Sequence, residues 1–175
     1  MKIPGKIAPW AVLGFAALVL VAFVMPTYRQ GEPSIARKSA ENFDITLGGK
    51  SAHLSDLKGK VVVLNFWASY CGSCVEEIPS LDRLQQRIKS RGGVVLGISI
   101  DEEPAPYEKF LVDHPIGFPT YCQRNKKVSL AYGTSMIPET YVIDRQGQIA
   151  RKIIGPQQWD SAEMLLYFDS ILGQN

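Results

Sequence analysis

Val61-Val62-Val63-Leu64-Asn65-Phe66 runs directly into Trp67-Ala68-Ser69-Tyr70-Cys71-Gly72-Ser73-Cys74, and a helical pattern begins at Cys71. A continuous apolar, β-branched run of this length predicts a strand buried on both faces of a sheet. Beyond it, Val75, Ile78, Leu81, Leu84 and Ile88 recur at spacings of three and four, the period of an amphipathic helix, and Arg91-Gly92-Gly93 stops it. Pro79 lies inside that helix and is expected to kink it. Two thiols three positions apart, where a strand turns into a helix, can close a small disulfide ring and open it again. The first helical turn carries unpaired N–H groups and a partial positive charge that favours thiolate over thiol. Cys71 is therefore expected to be the acidic, reactive sulfur, its pKa lowered from about 8.5 to somewhere between roughly 3.5 and 7.5.

A bare C-x-x-C is also half of a zinc site, and it can be a structural bridge. Zinc needs further ligands, and Cys122, His53 and His114 form no second ligand pair in the sequence, so no metal site is expected. A bridge closing four residues removes little entropy from the unfolded chain, which weakens the structural reading. Redox exchange carries most of the weight that remains.

The rest of the chain reads as an α/β domain. Phe43, Ile45 and Leu47 alternate ahead of Gly48-Gly49, predicting a hairpin with Ser51 to Leu54. Val94 to Ile100 predicts a second buried strand, parallel to the first through a right-handed crossover. Ala105 to His114 reads as a short helix, Phe118 to Cys122 as a short buried strand, and Lys126 to Tyr132 as another helix. Glu139 to Ile143 and Gln148 to Ile154, joined by Arg145-Gln146-Gly147, predict a closing antiparallel hairpin. Trp159 to Leu172 gives the last helix, with Trp159, Met164, Leu165, Phe168 and Leu172 inward. Cys122 is expected to be a small core residue, and His53 and His114 to lie in loops or on the surface.

The 175 residues suit one domain plus an appendage. Nineteen bases against 17 acids leave a net charge of +2, too balanced for a nucleic-acid partner. Pro9 to Met25 carries no charge, and with Ile7 and Ala8 the apolar stretch approaches the ~20 residues that span a hydrocarbon core. Residues 9–25 are thus expected to be a transmembrane anchor, with 1–8 cytoplasmic because Lys2 and Lys6 precede it. Phe23, Val24 and Met25 stand where a cleaved leader wants small residues, which favours an anchor over a signal peptide. Residues 26–40, with Pro, Gly, Ser and charge but no apolar period, read as a linker, leaving 41–175 as the folded domain.

Val61 to Cys74, with Leu54-Ser55-Asp56-Leu57-Lys58-Gly59-Lys60 before it and Ile137-Pro138-Glu139-Thr140-Tyr141-Val142-Ile143-Asp144 after it, resembles the membrane-anchored thioredoxin-like proteins of the TlpA/ResA/CcmG (DsbE) group. The resemblance spans roughly residues 40 to 172. It implies a thioredoxin-like fold with the N-terminal hairpin as an extension and a central insertion before the proline loop. It also implies protein-disulfide reduction outside the cytoplasm, often of apocytochrome c haem-binding cysteines in cytochrome c maturation. A transmembrane thiol-disulfide donor would recharge the Cys71–Cys74 couple, with no cofactor beyond that redox-active disulfide.

Carried onto this sequence, the resemblance makes Cys71 the nucleophile and Cys74 the resolving thiol. Glu77 occupies the place of the group's functional buried glutamate; at 100° per residue it lies about 60° from Cys74 and one turn deeper, whereas Glu76 falls on the solvent side. The bland alternative is that both acids only complement the helix N-terminus. Thioredoxin itself has an acid on the preceding strand where this chain has Asn65, which moves the proton-handling duty toward Glu77. Pro138 is implied to be cis and to face the thiols. Trp67, Tyr70, Ile137, Pro138 and Glu139 are the expected substrate-binding residues. Gly72-Ser73 departs from the group's common X-Pro pair, so the direction of electron flow is inferred from the resemblance. Alternatives are a general periplasmic reductase, a copper-delivery partner, a peroxiredoxin-type peroxidase, for which the Thr-containing loop is missing, and a metal-binding docking module.

Overall fold

The computed structural model describes residues 37–47 and 50–173. Strands β1 (Asp44–Leu47) and β2 (Lys50–His53) form an antiparallel pair, and a 3-10 turn at Leu54–Leu57 leads into β3 (Val61–Trp67). There follow α1 (Gly72–Ile88), β4 (Gly93–Ser99), α2 (Pro104–Asp113), β5 (Thr120–Cys122), α3 (Lys127–Ala131), β6 (Glu139–Ile143), β7 (Ile149–Ile154) and α4 (Ala162–Leu172). The main sheet has the order β5-β4-β3-β6-β7, with β3, β4 and β5 parallel and β6 and β7 antiparallel to their neighbours. This mixed five-stranded sheet with helices on both faces is a thioredoxin-like α/β fold.

Every residue of β3 is buried, as a central strand with a layer on each face requires. Alternation then sorts the core into two layers. Val61, Val63 and Trp67 pack with Ile78, Leu81, Leu84 and Ile88 of α1, Phe110 of α2 and Phe168 of α4. Val62, Leu64 and Phe66 face the other way, against Ile45 of the hairpin, Val128 of α3, Tyr132 and Tyr141.

Several sequence boundaries shift. Helix α1 runs unbroken through Pro79, whose ring is exposed. Trp159 precedes α4 instead of opening it; it is fully buried, and Ser161 is the cap, its side chain accepting from the Met164 N–H. Cys122 ends a half-buried edge strand and not a buried one, because β5 pairs only with β4.

The predicted segments 1–8 and 9–25 lie outside the described residues, as does 26–36. Among the described residues no helix is long and apolar enough to cross a membrane. The last linker residues do take part in the fold. Arg37 N–H donates to the Ile149 carbonyl at 2.8 Å, Ala40 N–H to that of Gly147 at 2.9 Å, and Ser39 bridges Gln148. The β6–β7 turn lies beside Val62, at the start of β3, so this attachment is at the end of the sheet opposite Cys71.

Candidate active site

The chain leaves β3 at Trp67 and makes a tight turn closed by Cys71 N–H to Ala68 C=O at 3.1 Å. Cys71 then caps α1: its backbone is extended, and its sulfur accepts the Cys74 N–H at 3.2 Å. A sulfur in the N-cap position sits where the unpaired N–H groups of the first turn converge, the place that stabilises an anion. Cys71 and Cys74 are joined as a disulfide, S–S 2.07 Å. Cys71 is partly exposed and Cys74 fully buried, so the bridge offers one sulfur to a partner and withholds the other. Ser73 Oγ lies 3.6 Å from the Cys71 sulfur, a hydroxyl within reach of a thiolate there.

Beneath the bridge, Glu77 is 3% exposed, while Glu76 faces solvent. Its Oε1 accepts from Asn65 Nδ2 at 2.8 Å; its Oε2 accepts from Trp159 Nε1 and the Gln157 backbone N–H, each at 3.0 Å. Burial pushes this carboxyl above its ordinary value of 4.5, against the three donors that pull it down. A buried carboxyl with a raised pKa, one turn beyond a buried thiol, is the type of group that can act as a proton acceptor. Asn65 and Trp159 thus enter the site as partners of Glu77. The strand position of Asn65 was visible in the sequence; the approach of Trp159 from 82 residues away was not.

The Ile137–Pro138 peptide is cis, and Glu139 pairs with Phe66, which sets this loop beside the end of β3 from which the Cys71 turn departs. Tyr70, 69% exposed, and Met136, 59% exposed, flank that end, and Ile137 is partly buried. Pro138 is buried, its carbonyl accepting from the Gly155 N–H at 2.9 Å.

Two residues expected on the docking face are elsewhere. Trp67 is 1% exposed; its ring packs on Phe110 and Tyr107, and its Nε1–H donates to Thr120 Oγ1 at 3.2 Å. Because β3 is covered on both faces, the ring lies in the core layer of α1 and α2 and supports the turn from below. Glu139 has no exposed surface. It pairs with Lys152 at 3.2 Å and accepts from the Tyr141 hydroxyl, because its strand position faces the second core layer. His53 bonds Asp44 in the hairpin, His114 stacks on Phe110, and Cys122 is a free thiol donating to the Asp101 carbonyl at 3.2 Å.

The AhpC/TSA family profile matches residues 36–152, two thirds of the chain. Thiol-disulfide oxidoreductase ResA of Bacillus anthracis is 34% identical over 127 residues, covering 72% of this chain and 73% of that protein. ResA of Bacillus subtilis is 32% identical over 127 residues, 71% of each. Among solved structures, a thiol:disulfide interchange protein DsbE described from Chlorobium tepidum superposes with a TM-score of 0.73 at 28% identity, covering 79% of this chain and 98% of that one. With the exposed-and-buried sulfur pair at a helix N-terminus, these matches establish that the chain belongs to the AhpC/TSA family and, within it, to the ResA-like thiol-disulfide oxidoreductases.

Proposed function

We propose that this oxidoreductase works as a reductase of protein disulfides on the extracytoplasmic side of a membrane, with residues 9–25 as its anchor, and that its substrates include apocytochrome c haem-binding cysteines. The observation that carries the reductive reading is the Cys71 sulfur capping α1 above the buried Glu77 carboxyl. Cys71 thiolate attacks one sulfur of the substrate disulfide; the S–S bond breaks, a mixed disulfide forms, and the first substrate sulfur leaves as a thiolate. Cys74 gives its proton to Glu77 and attacks the Cys71 sulfur. The second substrate thiolate then leaves, the Cys71–Cys74 bond is complete, and two electrons have passed to the substrate. A membrane thiol-disulfide donor returns those electrons, so the couple needs no further cofactor. Tyr70, Ile137 and Pro138 form the docking edge, where an extended substrate segment can pair with backbone.

The substrate class and the compartment rest on the resemblance to the TlpA/ResA/CcmG group and on the apolar, uncharged stretch 9–25. Mixed-disulfide trapping on a Cys74→Ser variant in native membranes tests both. Covalent capture of apocytochrome c through Cys71 is the expected result; capture confined to cytoplasmic proteins, or no thiol-sensitive adduct, overturns the reading.

A further inference from the structure

The turn that presents Cys71 is held from one side by a residue with no part in the exchange chemistry above. Asp101 follows β4 and is 2% exposed. Its Oδ2 accepts the Ser69 backbone N–H at 3.0 Å, and its Oδ1 accepts the Ser69 hydroxyl at 2.7 Å. The Ser99 hydroxyl donates to Oδ2 as well, and the Asp101 N–H donates back to Ser99 Oγ at 3.0 Å. No Lys, Arg or His pairs with Asp101 among the described residues; hydroxyl and amide donors alone satisfy it. Leaving such an acceptor buried costs free energy unless its partners stay in place, so the network resists displacement of Ser69.

Ser69 is the only residue of the turn so gripped. Upstream, Trp67 is fixed by its strand and by the Ile100 N–H on its carbonyl at 2.9 Å. Downstream, Cys71 is joined to Ala68 by one backbone bond, and Tyr70 projects into solvent. A swing of Ser69 would therefore carry Cys71 off the axis of α1, where its sulfur meets the Cys74 N–H.

We propose that Asp101 is a positioning residue for the exchange reaction: through both donors of Ser69 it fixes the Ala68–Cys71 turn and so keeps the attacking sulfur on the helix N-terminus. The effect is one of place and not of charge. An asparagine can reproduce the pattern, its oxygen accepting from the Ser69 N–H and Ser99 while its amide donates to the Ser69 hydroxyl, which accepts as readily as it donates. The inference rests on Cys71 as the attacking thiol.

The test is iodoacetamide alkylation of the reduced full-length protein as a function of pH, read at Cys71 by mass spectrometry, for wild type, Asp101→Ala, Asp101→Asn and Ser69→Ala. Asp101→Ala should move the ionisation midpoint of Cys71 up by about one pH unit, a roughly tenfold loss of thiolate on the acid side. Ser69→Ala should move it the same way by about threefold in thiolate, and Asp101→Asn should restore most of the wild-type profile. An unmoved profile in Asp101→Ala, or in folded Ser69→Ala should the former not fold, overturns the proposal. A profile in Asp101→Asn displaced upward as far as in the alanine variant overturns it, since the hydrogen-bond pattern then fails to hold the turn; one displaced downward overturns it in favour of charge, because loss of a nearby carboxylate favours the thiolate. A wild-type Cys71 ionising no more easily than free cysteine removes the attacking-thiol reading itself, and this proposal with it.

Discussion

Asn65 Nδ2 donates to Glu77 Oε1 at 2.8 Å and to Thr140 Oγ1 at 2.9 Å, tying the active-site helix to two strands of the sheet through one amide. The strand position beneath the thiols thus holds a group that orients a carboxylate and carries no charge of its own.

That carboxylate gives the first prediction. Its pKa is raised by burial, so the folded state binds its proton more tightly than the unfolded chain does. By linkage, stability falls as pH climbs from the unfolded carboxyl value toward the higher folded one, and is unaffected by this group below both. Glu77→Gln removes that slope, which urea melts between pH 4 and 8 will show as a flatter profile. The same variant should slow resolution of a trapped mixed disulfide by about 10²-fold at neutral pH, the usual worth of a general base. A resolution rate equal to wild type would dismiss Glu77 as a proton acceptor.

Trp159→Phe keeps most of the buried ring and deletes one donor to Glu77 Oε2. The remaining donors hold the ionised form less well, so the pH dependence of resolution should move upward, and the fold should lose about 2 kcal/mol, typical of a hydrogen bond to a charged group. Stopped-flow resolution rates across pH measure the first effect and denaturant melts the second.

Glu139 and Lys152 form a buried pair, with Lys152 also set over the Tyr141 ring at 5.4 Å and Glu139 Oε2 without a hydrogen-bond partner among the described residues. Breaking such a pair from one side strands a charge and costs about 3–5 kcal/mol. Lys152→Met should show that loss, and adding Glu139→Gln should recover a large part of it. Melting of the single and double variants decides the matter; equal stability of Lys152→Met and wild type would refute it.

Gly97 lies opposite Asn65 on β4, and a Cβ there would stand 2.8 Å from Thr120 Oγ1 and 3.1 Å from Trp67 Nε1, wedging apart two groups that bond to each other. Gly97→Ala is expected to lower stability by about 2 kcal/mol, in the range for overpacking a filled core. A thermal melt suffices to check it.

How much of this was readable from the residues alone divides along a physical line. The β-branched run Val61 to Phe66, the three-and-four spacing of α1 and the thiol pair between them are local patterns, and local patterns specify strand, helix and turn directly. Glu77 was reachable because a helix converts spacing into direction. What escaped was contact between segments far apart in sequence. Trp159 resembled the start of a helix, yet its indole serves a carboxylate on α1. Asp101 ends an apolar strand as an ordinary loop acid would, and only the parallel register of β3 and β4 brings it to Ser69. Glu139 and Trp67, expected on the docking face from the resemblance, lie inside instead, because β3 and β6 are covered on both faces and neither side of the sheet at these positions is open to solvent.

The attachment of residues 37–40 to the β6–β7 turn has a mechanical sequel. Tension on the chain ahead of Arg37 is met first by hydrogen bonds to Gly147 and Ile149, at the far end of a seven-residue strand from the sulfurs, about 20 Å away. Pulling or fusing there loads the handle of the molecule and leaves its working tip undisturbed.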